Sequence, residues 1–102
     1  MATLYHNITG ELTKELLEAG DNATISKISL TNIEGTNNCT VDLYIEKKLT
    51  GKFYLLKGVE LPIGATLIYD NMKFRNITDE FGLYVKLTKS ASETPAVDII
   101  LE

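Results

Sequence analysis

One histidine, His6, and one cysteine, Cys39, are the residues of this chain best suited to move a proton or attack a substrate. A thiol beside an imidazole is a working unit of covalent catalysis, but that unit needs a further group to orient the ring. No residue is marked out for that task, and the pair meets only if the first strand folds against the strand carrying Cys39. The plainer expectation is an edge or surface histidine near a fraying terminus and a thiol that serves as a small buried hydrophobe. A structural zinc site needs four Cys or His ligands, and the chain has two such residues in all. Oxygen ligands for calcium exist at Asp70, Asn71, Asp79 and Glu80, yet the EF-hand spacing is absent and these residue types are ordinary turn formers. Paired glycosidase carboxylates, a phosphate-binding glycine loop and a GxSxG elbow are missing as well. The inventory therefore predicts no enzyme, no cofactor and no metal.

Two other groups could do binding chemistry. Lys47, Lys48, Lys52 and Lys57 form a local basic departure from an acidic chain; they either dock an acidic neighbour or guard a hairpin edge against unwanted pairing. Tyr44, Phe53, Tyr54, Tyr69 and Tyr84 either build an exposed ligand face or pack across strands with their hydroxyls at the rim.

The elements that must position these side chains are strands. From Ala23 to Leu101, short runs of alternating apolar and polar residues are separated by turns written in Gly, Asn, Pro or Asp. Ile28 and Leu30 point to the core from one run, and Cys39, Val41, Leu43 and Ile45 from the next, the cleanest half-buried strand. A strand over 53–59 places Phe53, Leu55 and Lys57 on one side and Tyr54 and Leu56 on the other. Pro62 and Gly64 then break the pattern, as expected where a chain crosses between sheets. Strands follow at Thr66–Tyr69 and around Met72 and Phe74, then Leu83, Val85 and Leu87 alternate, and Ala96–Leu101 closes the series. Residues 1–10 read as an arm or an edge strand, with Leu4, His6 and Ile8 on one side and Tyr5 on the other. Residues 11–19 are ambiguous: good helix formers with Leu12, Leu16 and Ala19 on one face and a Gly20 stop, or a strand running into the Gly20-Asp21-Asn22 turn.

Turns every eight to twelve residues, with no helix long enough for a parallel crossover, predict an all-β fold: one antiparallel β-sandwich, Ig-like or jelly-roll-like, of seven to eight strands over residues 1–102. The chain has 102 residues, 44% hydrophobic and 24% charged, as suits one ordinary globular domain. A formal charge of -4 is the wrong sign for phosphate backbones, so nucleic acid is an unexpected partner. No apolar run reaches a membrane span and the first residues do not read as a signal peptide, so no membrane partner is expected and the four Asn-X-Thr sequons at Asn7, Asn22, Asn38 and Asn76 read as turn asparagines beside strand threonines.

Ile25 to Asn32, Cys39 to Ile45, Phe53 to Lys57, Leu61-Pro62-Ile63-Gly64-Ala65-Thr66-Leu67, Leu83 to Leu87 and Val97 to Ile100 together resemble small virion structural proteins of tailed bacteriophages, notably those of marine phages. The resemblance runs over most of the chain and rests on hydrophobic patterning plus an Asn and a Pro-X-Gly turn. It implies a one-domain β-sandwich without enzymatic activity, made in the host cytoplasm and present in many copies in the virion. Capsid decoration is the first role it suggests and a neck or tail component the second. It also favours strand over helix at 14–23. The partners it implies are other virion proteins and further copies of the chain, bound through edge strands and the arm. The residues expected to make those contacts are Leu4, Tyr5 and Ile8, together with Lys47, Lys48 and Lys52 of the basic hairpin. The rival reading is a host-surface or carbohydrate-binding module that uses exposed tyrosines.

Overall fold

Alternation over Cys39–Lys47 builds β5, the strand that organises one half of the molecule: Cys39, Val41 and Leu43 are each at most 1% exposed while Thr40 and Asp42 between them face outward. β-branched and aromatic residues fit such a pleated, one-sided surface. The computed structural model describes residues 4–10, 13–18, 24–34, 36–47, 51–70, 74–75, 81–92 and 94–102. The sequence expectations for Met72, Asn71, Asp79, Glu80, Leu12 and Ala19 lie outside them.

The other strands, in chain order, are β1 (Leu4–Thr9), β2 (Thr13–Leu17), β3 (Thr24–Ile25), β4 (Ile28–Asn32), β6 (Gly51–Leu61), β7 (Thr66–Tyr69), β8 (Phe74–Arg75), β9 (Gly82–Lys89) and β10 (Ala96–Leu101). Two four-stranded antiparallel sheets, ordered β1-β10-β4-β7 and β2-β9-β5-β6, pack face to face, and the two-residue strands β3 and β8 pair separately. The all-β sandwich expected from the sequence is present. Its eight principal strands are joined by the short β3–β8 pair, whose Ile25 and Phe74 are buried in the core.

The core is a double layer of aliphatic side chains. Ile28, Leu30, Val97, Ile99 and Leu101 from one sheet meet Val41, Leu43, Leu83, Val85 and Leu87 from the other, all essentially inaccessible. Burial of this apolar surface, at roughly 25 cal/mol per Å², is the main force holding the layers together.

Three local features depart from simple alternation. Residues 13–17 form strand β2 rather than a helix, because pairing with β9 supplies the packing that a two-turn helix would lack. Ile25 is buried although it is out of phase with Ile28 and Leu30; the strand breaks at Ser26 and Lys27, whose main-chain N–H groups both donate to the Glu102 carbonyl at 2.8 and 3.1 Å. In β6 the register slips twice against β5, so that Val41, Leu43 and Tyr44 stand opposite Val59, Leu56 and Tyr54. Each slip is a bulge that turns a following side chain to the other face. Tyr54 therefore points out while Leu55 and Leu56 both pack against the core, which corrects the side assignment read from the sequence. One bulge holds Gly58 at φ +64°, where its N–H donates to Asp42 Oδ1 at 2.7 Å.

The chain changes sheets between β6 and β7, as Pro62 and Gly64 suggested. Asn32, 1% exposed, is the buried joint of this corner. Its side-chain amide donates to the carbonyls of Leu61 (3.0 Å) and Asn37 (3.2 Å), and its Oδ1 accepts the N–H of Glu34 at 2.9 Å. Its main chain adds bonds to Ala65 and Gly64 at 3.1 and 3.0 Å.

Candidate functional site

The two outer faces of the sandwich are chemically different. On the β2-β9-β5-β6 sheet, Tyr84, Tyr44 and Tyr54 occupy adjacent strands, with ring centroids 5.5 and 5.2 Å apart. Tyr44 and Tyr84 stack nearly parallel, 9° apart. Lys52 Nζ lies 5.0 Å from the Tyr44 centroid and Lys57 Nζ 4.5 Å from that of Tyr54, while Lys57 also reaches Asp42 Oδ2 at 3.6 Å. The rings thus spend their faces on each other and on lysine ammonium groups.

Burial raises the Tyr44 pKa. The hydrogen bond that Tyr84 donates to Glu15 Oε2, 2.8 Å long, pushes the Tyr84 hydroxyl up to about 12. Gly82 permits this approach of β9 to β2, since a Cβ there would stand 3.1 Å from the Leu17 carbonyl and 3.2 Å from Glu15 Oε2. Because Tyr84 holds its proton more tightly when folded than at the ordinary 10, the stabilisation present below pH 10 is lost as pH rises toward about 12. Denaturant titrations at several pH values are expected to show a steeper alkaline loss for the unaltered protein than for Tyr84→Phe; parallel curves would contradict it.

Two adjoining rows on the outer face of the β1-β10-β4-β7 sheet carry a single charged residue. The strand registers align Tyr5, Ile100, Ser29 and Ile68 in one row across all four strands and Asn7, Asp98, Thr31 and Thr66 in the next. Tyr5 is 72% and Ile68 53% exposed, the two highest values among the exposed large apolar residues, which also include Phe53 and Tyr54 on β6 and Ile33 and Ile63 at the sheet-crossing corner. Asp98 is the sole charged residue of the two rows, and the Asn7 amide donates to its carboxylate. Thr31 and Thr66 share a hydroxyl–hydroxyl bond of 2.8 Å. Tyr5, Asn7, Asp98 and Ile100 line a shallow depression of about 360 Å³ on this face.

The residues singled out from the sequence fall in different places. Tyr5 belongs to the outer face of the β1-β10-β4-β7 sheet, Leu4 packs partly against the core, and Ile8, 3% exposed, is a core anchor of β1 with no surface to offer a partner. Lys52 lies over Tyr44, Lys47 Nζ lies 5.8 Å from the Phe81 ring centroid, and Lys48 is outside the described residues. His6 stands on edge strand β1, its pKa lowered chiefly by burial, with a hydrogen bond to the Leu16 main chain opposing the shift and Lys14 reinforcing it. Cys39 is buried in β5 between Leu61 and Lys89, on the other sheet, so the two candidates for covalent chemistry are not brought together. Among the described residues no three His, Cys, Asp or Glu side chains converge as a metal site requires, and no helix is long and apolar enough to cross a membrane.

Ile68 and Ile100 were missed by sequence reading. Each sits in a run of apolar neighbours (Leu67-Ile68-Tyr69, Ile99-Ile100-Leu101), where composition alone does not say which side chain faces out; only the pairing of β7 with β4 and of β10 with β1 settles the phase.

The fold defines the chain as a single antiparallel β-sandwich. No protein-family model matches it, and no curated protein sequence does. Among solved structures, the Yersinia pseudotuberculosis-derived mitogen is similar over 98% of this chain and 82% of its own, with 16% identity and a TM-score of 0.53. A structure of infectious bursal disease virus, Gx strain, is similar over 99% of this chain and 33% of its own, with 13% identity and a TM-score of 0.49. At such identities the likeness to the mitogen concerns the fold alone.

Proposed function

We propose that this chain is a non-enzymatic virion structural protein of a tailed bacteriophage that docks on other particle proteins, as a capsid decoration protein in the first instance. The observation that carries the reading is the sparsely charged pair of rows on the outer face of β1-β10-β4-β7, with Tyr5, Ile100 and Ile68 aligned across the sheet. A flat face of this kind loses little solvation when covered, and it orders few side chains on binding because β-branched and aromatic groups are already stiff. The patterning resemblance to phage virion proteins points the same way. For the carbohydrate-binding alternative, Tyr44 offers no ring face, being 3% exposed between its neighbours, whereas Tyr54 is 42% exposed with Tyr44 beside it and the Lys57 ammonium 4.5 Å from its ring, and Tyr69 is half-buried.

Mass spectrometry of purified particles is expected to find the chain at a fixed ratio to the major shell or tail protein, and a cryo-electron map to show the β1-β10-β4-β7 face against its neighbour. Ile68→Asp, an exposed change that leaves the core intact, is expected to reduce incorporation at least tenfold. Recovery of the chain only as a free protein in uninfected cells would overturn the reading.

A further inference from the structure

Each sheet ends in two edge strands, and a long regular edge invites another strand unless something guards it. β6 is guarded by two register slips and by Lys52 and Lys57, β2 by a register slip between Glu15 and Leu17 with Lys14 and Glu15 alongside, and β7 by its length of four residues. β1 differs from all three. Its six residues pair with β10 in unbroken register, and its sequence, Leu-Tyr-His-Asn-Ile-Thr, has no Lys, Arg, Asp, Glu or Pro.

The main-chain groups that β1 turns outward follow from its register. Gly10 N donates to the Pro95 carbonyl at 2.8 Å, one step beyond the Thr9–Ala96 pair. Antiparallel partners alternate between bonded and non-bonded pairs, so the bonded pairs recur at Ile8–Val97, His6–Ile99 and Leu4–Leu101. The Ile33 N–H bound to the Ala96 carbonyl at 2.9 Å fixes the same parity from the far side of β10. Tyr5, Asn7 and Thr9 therefore point their N–H and C=O groups away from β10, along the open edge.

We propose that β1 pairs with β1 of a second copy of this chain, antiparallel about a two-fold axis at Asn7, joining two four-stranded sheets into one of eight strands. Asn7 then stands opposite Asn7 of its copy, and Tyr5 opposite Thr9 in both directions, so all three outward residues exchange both main-chain hydrogen bonds. The occupant is argued from charge and closure. The strand carries no charge of its own to set against its copy; Asp98 lies one strand in, and the two Asp98 groups stand roughly 14 Å apart at a strand spacing of ~4.8 Å, beyond the ~8 Å screening length, while Lys14, whose charge acts on His6, sits on β2 of the facing sheet and not on the paired edge. With one unguarded edge per molecule among the described residues, the pairing closes at two copies, the commonest symmetry of self-association, and does not run on into a filament. It leaves the outer face with Tyr5, Ile100 and Ile68 free and doubles its area.

Sedimentation over a range of concentrations is expected to show a species of twice 11.3 kDa. Asn7→Lys sets two ammonium groups against each other at the axis, while a lysine there still has Asp98 beside it, and is expected to weaken the dimer at least tenfold with an unchanged far-UV circular dichroism spectrum. If that variant fails to fold, amide exchange in the unaltered protein decides: the amides of Tyr5, Asn7 and Thr9 are expected to slow as concentration rises. A chain monomeric throughout, a dimer that survives Asn7→Lys, or exchange at those amides independent of concentration would overturn the pairing. Each of these results is read in the isolated protein and stands apart from incorporation into particles.

Discussion

Leu43→Ala is expected to lower the free energy of unfolding by about 3–5 kcal/mol, and the melting temperature by roughly 15–25 °C for a domain of this size. Leu43 is fully buried in β5, flanked in register by Val85 of β9 and Leu56 of β6, and faces the apolar layer of the opposite sheet. A cavity opened there is walled on one side by β9, whose ladder with β5 is unbroken, and on the other by Leu56 of β6, so the site collapses little and most of the cavity cost remains. Ile68→Ala removes as large an aliphatic side chain from a residue 53% exposed, and is expected to change stability by no more than about 0.5 kcal/mol. Urea denaturation of both variants measures the contrast. A Leu43→Ala loss under about 1 kcal/mol would mean that the two sheets are not tightly packed. The same contrast supports the use of Ile68 as a docking probe, since its replacement does not disturb the fold.

How much of this was legible in the sequence depended on whether local period and tertiary pairing agreed. Cys39, Val41 and Leu43, and likewise Leu83, Val85 and Leu87, alternate strictly and face the core as read, because both strands run unbroken through the middle of a sheet. Residues 13–17 could not be decided locally: Lys14, Glu15, Leu16 and Leu17 have helix propensity, and only the presence of β9 beside them makes a strand the better state. β6 misled for a different reason. A bulge inserts a residue without any change in hydrophobic composition, so Leu56 looked like a companion of Tyr54 although it opposes Leu43. The only hint was Gly58, whose left-handed backbone serves the slip.

The candidate site was less legible than the fold. Tyr5 stands out as the odd member of an alternating arm, whereas Ile8 reads as a contact residue only if the arm lies free of the core. In the structure β1 is an edge strand whose inward residue is anchored and whose outward residues are exposed. Scarcity of charge over part of one sheet face is a two-dimensional property, assembled from residues of four strands that are distant in sequence. No single segment announces it. Self-pairing along β1 and docking through the adjoining face are compatible, because one uses main-chain groups in the plane of the sheet and the other uses side chains perpendicular to it.

Asn32→Leu is expected to cost about 3 kcal/mol, a large loss for a residue outside the aliphatic core. The Asn32 amide satisfies the Leu61 carbonyl in a buried setting and the Asn37 carbonyl in a partly buried one, and its Oδ1 receives the Glu34 N–H. A leucine of similar bulk fills the space and leaves all three groups unpaired, and an orphaned buried carbonyl alone costs about 1–3 kcal/mol. Asn32→Asp separates geometry from chemistry. It preserves shape and the bond to Glu34, but turns a carboxylate oxygen toward two carbonyl oxygens in a site 1% exposed to water. Burial and the facing carbonyls raise the folded-state pKa of that carboxyl above the ~3.9 of an unfolded aspartate. The folded protein then binds more protons than the unfolded chain, so the penalty is full at neutral pH and shrinks as pH falls through the folded pKa toward ~3.9, where the protonated acid donates to Leu61 as the amide did. Measured against Asn32→Ala, which carries no titrating group, Asn32→Asp is expected to be the less stable variant at pH 7 and to gain on it steadily toward pH 4. A difference between the two that does not change with pH would show that the corner is held by the strands around it and not by this amide.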